Sequence, residues 1–343
     1  MSKVFNKLQV FTKTPNFREA VKLVTKPLIE PKDDEVRVKI IYTGLNATDI
    51  NITAARYFTD GKIPFDIGLE GLGLIDAVGS KVEMQPNTPV MVMKSQNSDC
   101  FSEYVYATKK ELIPLPDLRP NYLVSAVNGL TASIALDKKA FLKENEKILV
   151  TAAAGGTGQI VVQWAKKCGA YVIAMTSSDA KSQMLKSLGA DFIINYRTEN
   201  VSEVLQKNFP QGVDVVWETI GGETMRTLFN HLAVRGRMVL IGAITNYSKD
   251  GNFSVPIDDL NRKLLMGSKS LVGFMLPNYS DSYPEYLPKL IGMIANGSIQ
   301  ANVDLGENTA EGKFFGLDQI ARAEEHLHSG KNIGKVVVQI QEA

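Results

Sequence analysis

Ala152-Ala-Ala-Gly-Gly-Thr-Gly-Gln159 is the stretch of this sequence that decides the fold. It overlaps the end of an apolar run at 147–153 and opens a helical pattern. Set against the nucleotide-binding fingerprint G-x-G-x-x-G, it places Ala153, Gly155 and Gly158 at the three glycine positions, so the match is imperfect at the tight turn. A glycine at 155 lets backbone approach a pyrophosphate, and one at 158 lets helix pack closely on strand. The positive end of the helix would then face the phosphates.

An ordinary strand-helix turn is the competing interpretation, and the pattern downstream disfavours it. Apolar runs alternate with helical patterns, the runs lying at 147–153, 171–176, 192–196, 213–217 and 237–241, with a sixth at 270–275. Helical segments run from Gly158 to Cys168 and from Asp179 to Leu188, and the second is followed by Gly189, a common helix stop. This alternation predicts an α/β fold with a doubly wound parallel Rossmann sheet.

The regions on either side of the alternating segment have a different pattern. Short runs broken by Pro and Gly lie at 35–42, 73–78, 88–93 and 101–106, and they predict a β-barrel-like unit. The tail holds a helical pattern near 318–328 and a final strand at 334–340, and we place the tail on the first domain. The predicted domains are therefore 1–124 with 276–343, and 125–275; two domains suit 343 residues.

Composition and charge favour a small-molecule partner. The chain has 38 Lys and Arg against 37 Asp and Glu, so no overall field attracts it to nucleic acid or to an acidic membrane. Its two cysteines form no CxxC motif, which suits a reducing compartment. Residues 1–13 hold no apolar signal core, no stretch is long enough for a membrane span, and residues 341–343 are not an S-K-L type ending. We expect a cytoplasmic protein.

The ends of the second and third strands indicate which nucleotide binds. An NAD site places Asp or Glu after the second strand to bind the ribose 2′-hydroxyl. Here Ser177 stands in that place, and Lys181 follows one helical turn later, where an ammonium can meet a 2′-phosphate. Asp179 is assigned to capping the helix. Tyr196 can flank the adenosine phosphate. A solvated lysine and an edge-packed tyrosine are the alternatives, but the pattern favours NADPH over NADH.

Metal ligands are missing where a dehydrogenase of this architecture would hold zinc. Asn46 stands where a cysteine would serve and Leu69 where a histidine would be needed. Glu70 alone is a poor site, and we expect it to bond to nearby backbone. Two cysteines cannot supply a four-cysteine lobe, and the histidines fall in late helical segments, at His231, His326 and His328. We predict no metal site and no activated nucleophile, which leaves hydride chemistry supplied by a cofactor.

Five segments together resemble the quinone oxidoreductase branch of the medium-chain dehydrogenase/reductase family. They are Pro15-Asn-Phe-Arg-Glu-Ala20, Gly44-Leu-Asn-Ala-Thr-Asp-Ile-Asn51, Pro64-Phe-Asp-Ile-Gly-Leu-Glu-Gly71, Val150-Thr-Ala-Ala-Ala-Gly-Gly-Thr-Gly-Gln159 and Gly330-Lys-Asn-Ile-Gly-Lys335. The resemblance runs essentially the whole length of the chain. It implies a GroES-like β-barrel domain beside the Rossmann domain, a zinc-free NADPH enzyme, and a homodimer formed through the strand at 270–275. It leaves the peroxisome as the alternative compartment.

The same resemblance implies a set of cofactor contacts. Together with the glycines of the phosphate loop, these are Gly155, Gly156, Thr157, Gly158, Ser177, Lys181, Tyr196, Thr219, Ile241, Tyr247, Phe274, Met275, Leu276 and Asn332. Thr219 is a departure, because the family can carry serine there, although either hydroxyl can serve.

The activity that the resemblance implies is reduction of the carbon-carbon double bond of an α,β-unsaturated ketone, with 15-oxo-prostaglandins as substrates. That reaction needs a hydrogen-bond donor at the carbonyl oxygen, which becomes negative as an enolate forms. Asn46, Tyr57 and Tyr247 are the candidates, and for Tyr57 the alternative is a packed aromatic whose hydroxyl is tied to backbone. The apolar pocket wall is assigned to Phe65, Phe274, Met275 and Leu276. Two other functions stay open: a quinone reductase and a weakly catalytic NADPH-binding scaffold.

Overall fold

The computed structural model describes residues 3–57, 60–94, 98–248 and 257–343. In chain order its strands and helices are β1 (Val4–Val10), α1 (Phe17–Ala20), β2 (Val21–Pro27), β3 (Glu35–Gly44), α2 (Asp49–Thr53), β4 (Phe65–Asp66), β5 (Glu70–Val78), β6 (Pro89–Met93), β7 (Tyr104–Thr108), β8 (Leu112–Pro114), α3 (Val127–Ala135), β9 (Lys147–Val150), α4 (Gly156–Lys167), β10 (Tyr171–Thr176), α5 (Asp179–Ser187), β11 (Phe192–Asn195), α6 (Val201–Asn208), β12 (Val213–Glu218), α7 (Gly222–Asn230), β13 (Leu232–Leu240), α8 (Ile244–Tyr247), α9 (Leu260–Gly267), β14 (Ser270–Gly273), α10 (Tyr283–Ala295), β15 (Val303–Asp304), α11 (Ile320–His328) and β16 (Lys335–Gln339). The chain divides into two compact units, Met1–Val127 with Asn302–Ala343, and Asn128–Ala301.

The first unit is built from curled, mainly antiparallel sheet. Its larger sheet has the order β15-β16-β3-β5-β6-β8, with β7 also paired to β3, and a smaller sheet has the order β2-β1-β4. The last strand of the chain closes on β3, where Val337 lies opposite Gly44. At Gly73 a side chain could not be accommodated, because its Cβ would lie 2.1 Å from the carbonyl oxygen of Lys39. The predicted β-barrel-like, GroES-like unit is confirmed.

The second unit carries the parallel sheet that the phosphate loop predicts. Its strand order is β11-β10-β9-β12-β13-β14, and each pairing is parallel. The order grows outward from β9 in both directions, which makes the end of β9 the topological switch point where ligands of such sheets bind. One face of the sheet is packed by Leu149, Ile173, Val216 and Met238 against Phe229 of α7. The doubly wound α/β fold is therefore confirmed.

Residues 276–301 differ from the prediction, which placed them with the first domain. In the structure they belong to the second unit. Helix α10 packs on α4, where the rings of Tyr286 and Trp164 lie 6.3 Å apart, and the Tyr286 hydroxyl donates to Asp137 over 3.1 Å. Gln163 of α4 also bonds to the backbone of Gln300 in both directions. The apolar face of α10 therefore continues the core of the Rossmann unit.

Candidate functional site

Most of the predicted cofactor residues lie along one edge of the parallel sheet. Because the strands are parallel, the loops that follow β9 to β14 all leave from the carboxyl edge. In spatial order along this edge come Tyr196, Ser177, Gly155 with Gly156, Thr219, Ile241 and Phe274. Neighbouring strands are about 4.8 Å apart, so this row extends over roughly 24 Å. Such a row suits an elongated dinucleotide with its pyrophosphate over β9.

The phosphate loop ends at the N-terminus of helix α4. Gly155 is the N-cap of the twelve-residue α4 and, as a glycine, has no side chain that could cap the first turn. The N–H groups of such a turn and the helix dipole attract negative charge. The tight turn is made by Ala152, whose φ is +45°, rather than by Ala153 as the fingerprint predicted. Its carbonyl oxygen accepts the N–H of Gly155 over 3.0 Å, which closes the loop.

Gly158 and Gly155 differ in the space that a side chain would find. A Cβ at Gly158 would lie 2.4 Å from the Ala152 oxygen and 2.6 Å from Ala153 Cα, so a side chain there would separate α4 from the turn. A Cβ at Gly155 would meet only the Ala152 oxygen, at 3.3 Å. Packing therefore does not require a glycine at 155, and, its chain neighbours aside, no other heavy atom of the described residues lies within 4 Å of the position that a Cβ would occupy.

A side chain that the sequence analysis missed borders the same turn. Asn128 at the start of α3 donates from Nδ2 to the Thr157 hydroxyl over 2.9 Å. A Cβ at Gly156 would lie 2.7 Å from Asn128 Oδ1. An asparagine in a buried helical segment is the signal that could have marked it, but nothing in its spacing connects residue 128 to residue 157.

The residues assigned to the 2′-phosphate lie at the end of β10 and the start of α5. Ser178, rather than the predicted Asp179, is the N-cap of α5: its backbone is extended and its hydroxyl accepts the N–H of Lys181. Lys181 lies in the first turn of α5 and its side chain is 9% exposed. Just before Ser177, the hydroxyl of Thr176 is buried and has no hydrogen-bond partner among the described residues. A polar ligand at this edge would suit these donors, so the group fits the phosphate end of NADPH.

Tyr196 follows β11 at the outer end of the row. Its backbone N–H donates to the Thr176 oxygen over 3.0 Å, which fixes the tyrosine beside the end of β10. The side chain is 45% exposed, and the guanidinium of Arg197 lies 5.8 Å from the ring centroid. This arrangement leaves a ring face and a cation beside the predicted adenosine phosphate.

Thr219 is held at the centre of the edge by hydroxyl contacts. Its hydroxyl lies 3.0 Å from that of Thr151, and its N–H donates to the Thr151 hydroxyl over 3.0 Å. The preceding residue, Glu218, is fully buried and accepts the N–H groups of Ile220 and Gly221. Burial raises the pKa of Glu218 to about 7, although these N–H groups oppose the shift. The sequence analysis missed Glu218, which caps the turn that carries Thr219.

The remaining cofactor candidates of the second unit follow β13 and β14. The backbone N–H of Ile241 donates to the backbone oxygen of Glu218 over 2.9 Å, which fixes this residue at the end of β13. Tyr247 is buried, and its hydroxyl accepts the N–H of Ala243 over 3.1 Å. Phe274 stacks on Tyr279 with ring centroids 4.9 Å apart. Met275 is 42% exposed, and Leu276 begins a short 3₁₀ turn. Asn332, by contrast, belongs to the first unit, where its Nδ2 donates to the Gly334 oxygen over 2.8 Å.

In the first unit Asn46 belongs to a buried ionic cluster. Its Nδ2 donates to Glu70 Oε1 over 2.9 Å, and its Oδ1 accepts from Lys335 Nζ over 3.1 Å. Lys335 and Glu70 form an ion pair of 2.5 Å with both side chains at most 1% exposed. Glu70 also accepts the N–H of Val127 over 2.9 Å, the backbone bond expected of it. Lys335, a charged residue at the start of an apolar strand, was missed.

Tyr57 lies at the end of the turn that follows α2. Its phenol oxygen accepts from the hydroxyl of Thr48 over 2.5 Å and from Nδ2 of Asn51 over 2.8 Å. Burial raises the pKa of Tyr57. The hydroxyl therefore bonds to these two side chains of the α2 region. Phe65, the other aromatic candidate of this unit, lies in β4 opposite Val10.

The residues that could bind a metal are dispersed. Among the described residues no group of three or more His, Cys, Asp and Glu side chains is placed to hold an ion. The histidines cap or end helices: His231 contacts Ser202, His326 contacts Asp304, and His328 contacts Glu324. Both cysteines are free thiols. In the same described ranges, the helices are too short or too polar for any to cross a membrane.

Comparisons with known proteins agree with this geometry. Residues 32–117 match the alcohol dehydrogenase GroES-like domain, and residues 156–292 match the zinc-binding dehydrogenase family. The chain is 42% identical to bovine (Bos taurus) prostaglandin reductase-3, covering 97% of this chain and 89% of that protein. It is 40% identical to a probable quinone oxidoreductase of Leishmania amazonensis, covering 98% of both. The crystal structure of Escherichia coli quinone oxidoreductase complexed with NADPH superposes with a TM-score of 0.82 at 27% identity, covering 97% of this chain and 99% of that one.

Proposed function

Because this chain belongs to the medium-chain dehydrogenase/reductase family, among its quinone oxidoreductase-like members, we propose that it is an NADPH-dependent reductase of α,β-unsaturated ketones. The observation that carries the proposal is the first turn of α4, which begins after a glycine N-cap at the switch point of the sheet, with Ser177 and Lys181 following the neighbouring strand. A helix terminus binds the pyrophosphate, and the lysine binds the 2′-phosphate.

Bound NADPH supplies a hydride, and the chain's own residues hold and orient the cofactor. Gly155 leaves the backbone open to the phosphates, and Thr219 offers its hydroxyl at the centre of the row. Apolar and aromatic groups at the β14 end, Phe274 with Met275, suit the nicotinamide and an apolar substrate.

The substrate we propose is a lipid-like enone, 15-oxo-prostaglandin first, and the identity to prostaglandin reductase-3 supports this choice. The developing enolate oxygen needs a hydrogen-bond donor. Of the sequence candidates, Tyr57 suits this role best, because the amide of Asn46 already bonds to Glu70 and Lys335 through its two polar atoms. Asn46 then orders the loop that precedes α2, since its backbone N–H also donates to Asp49 over 2.8 Å.

A quinone reductase is the second candidate. It is favoured by the 40% identity to the Leishmania protein over nearly both chains and by the likeness to the Escherichia coli enzyme. The two reactions share the cofactor groove and differ in the acceptor, so only substrate tests separate them.

The test is a turnover panel in which NADPH absorbance is followed with a 15-oxo-prostaglandin, a medium-chain enone and a quinone. We expect the fastest consumption with an enone. Consumption with the quinone alone would favour the second candidate, and none with any acceptor, despite NADPH binding, would leave a binding scaffold. Tyr57→Phe should lower turnover with little effect on NADPH affinity. Tyr171→Phe is the matched control, because Tyr171 begins β10 at the opposite edge of the sheet.

Assembly and compartment complete the proposal. Strand β14 ends the sheet, and Leu265 and Met266 of the preceding helix are 78% and 76% exposed. We propose a homodimer in which β14 pairs with its copy, and light scattering tests it. The free thiols Cys100 and Cys168 support the cytoplasm as the compartment, which imaging of a tagged chain would check.

A further inference from the structure

The turn after α2 folds back on the helix and brings three polar side chains together. Ala55 adopts a left-handed conformation with φ of +54°, and the N–H of Arg56 donates to the Asn51 backbone oxygen over 2.9 Å. As a result Arg56 and Tyr57 both lie against the side chain of Asn51, which is fully buried. Each of these contacts joins residues at most nine positions apart, so the cluster is set by local chain geometry.

The orientation of the Asn51 amide is fixed by chemistry. Arg56 Nη1 lies 2.8 Å from Asn51 Oδ1, and a guanidinium can only donate hydrogen bonds. The amide oxygen must therefore face Arg56. Its nitrogen then faces Tyr57, 2.8 Å from the phenol oxygen, and donates to it.

This orientation restricts what the Tyr57 hydroxyl can do. A phenol oxygen has two lone pairs and one proton. Asn51 and Thr48 both donate to the oxygen, so any further hydrogen bond of this hydroxyl is one that Tyr57 donates. The Asn51 amide also stabilises charge that builds up on the phenol oxygen, and the nearby Arg56 cation acts in the same direction.

We propose that Arg56 and Asn51 are positioning residues that hold Tyr57 as a hydrogen-bond donor for the substrate carbonyl. The inference rests on the enone reductase function proposed above. Arg56 fixes the orientation of the Asn51 amide, and the amide nitrogen then donates to a lone pair of the Tyr57 phenol. The phenol proton is thereby directed to the substrate carbonyl oxygen, which becomes negative during the reaction. No group is consumed and no bond is broken in this arrangement, so the cluster returns unchanged after each turnover.

The decisive variant is Asn51→Asp, which keeps the shape and reverses the polarity. A carboxylate cannot donate to the phenol, so Tyr57 donates its proton inward. We expect kcat to fall about tenfold to a hundredfold, with a smaller change in KM, because a donor to the developing oxyanion is lost. The pKa of the Tyr57 phenol, measured by NMR of labelled tyrosine and assigned with Tyr57→Phe, should rise beside the new carboxylate. In the Tyr57→Phe background, Asn51→Asp should have no further effect on kcat.

Arg56 gives a second test that does not alter the buried amide. Arg56→Met removes the group that orients Asn51 and should lower kcat, whereas Arg56→Lys keeps a donor and should recover part of the loss. An unchanged phenol pKa and kcat in Asn51→Asp, or an additive effect with Tyr57→Phe, would overturn the proposal. If the panel shows no reductase activity, the enone function fails. The phenol titration then still decides the positioning: a raised pKa in Asn51→Asp supports it and an unchanged one rejects it.

Discussion

The phosphate loop offers a matched pair of substitutions that separates packing from cofactor binding. Gly155→Ala and Gly158→Ala each add one methyl group three residues apart. Neither glycine needs a left-handed backbone, since Gly155 has φ of −84° and Gly158 is helical. The two variants therefore differ in what the methyl group meets.

At Gly158 the new Cβ would lie 2.4, 2.6 and 2.7 Å from backbone atoms of Ala152 and Ala153. Carbon contacts normally lie at about 3.5 to 4 Å, so α4 must move away from the turn by about 1 Å. Overpacking of this kind costs about 1 to 3 kcal/mol, and the better helix propensity of alanine returns up to about 1 kcal/mol. We expect a net loss of about 1 to 2 kcal/mol in the free energy of unfolding.

At Gly155 the methyl group meets only the Ala152 oxygen, at 3.3 Å. Alanine is compatible with this backbone, and the stiffer unfolded chain should leave stability unchanged or raise it by about 0.4 to 1 kcal/mol. The methyl group fills the space that a phosphate needs, however, so the Kd for NADPH should rise about tenfold or more, which is about 1.4 kcal/mol.

Urea unfolding followed by tryptophan fluorescence measures the free energy of unfolding of both variants. Both tryptophans, Trp164 in α4 and Trp217 in β12, belong to the second unit and report its unfolding. Calorimetric titration measures the Kd for NADPH. A Gly158→Ala chain as stable as the parent, or a Gly155→Ala chain with undiminished NADPH affinity, would refute the reasoning.

Three further predictions concern other groups. Lys181→Ala should weaken NADPH by about 1.5 to 3 kcal/mol and leave NADH nearly unchanged in fluorescence titration, and equal losses would contradict the 2′-phosphate assignment. Glu218 has a folded-state pKa of about 7 against an ordinary 4.5, so the folded chain holds its proton longer than the unfolded chain. Stability should therefore fall as pH rises through that window, by on the order of 3 kcal/mol, and Glu218→Gln should abolish this slope in urea titrations. Ala152→Gly should stabilise the second unit by about 1 kcal/mol, because its φ of +45° favours glycine, and a loss of stability would contradict the strain.

The local sequence pattern was sufficient to predict most strands and helices of the Rossmann unit. The strand predicted at 171–176 is β10, because an apolar run between Gly169 and a pair of serines leaves only one place for it. The helix at 179–188 was also close, but its cap was assigned to Asp179. Serine and aspartate are nearly equal as caps, and the choice of Ser178 depends on which residue adopts extended backbone, which composition does not reveal.

In the candidate site too, the sequence was sufficient to locate some residues and not others. Ser177 and Lys181 could be placed because they follow a strand within one helical turn. The orientation of the Asn51 amide could not be predicted, because it depends on a tight turn that brings Arg56 back against helix α2. Lys335 contacts Asn46 across 289 positions of sequence, so only the pairing of the last strand with β3 brings them together.

The positive charge of Lys335 disfavours a metal ion beside Asn46 and Glu70. Asn46 is the residue that the sequence places at an expected zinc-ligand position, and Lys335 Nζ contacts both Glu70 Oε1, at 2.5 Å, and Asn46 Oδ1, at 3.1 Å. It also donates to the Leu45 oxygen over 3.2 Å. A divalent ion that shared these oxygens would face a buried ammonium only a few ångströms away, where like charges repel strongly because little water screens them. The first unit thus balances the charge of Glu70 with a cation from its own last strand, and in the proposed reaction the substrate carbonyl would be polarised by a hydrogen-bond donor, for which Tyr57 is the candidate.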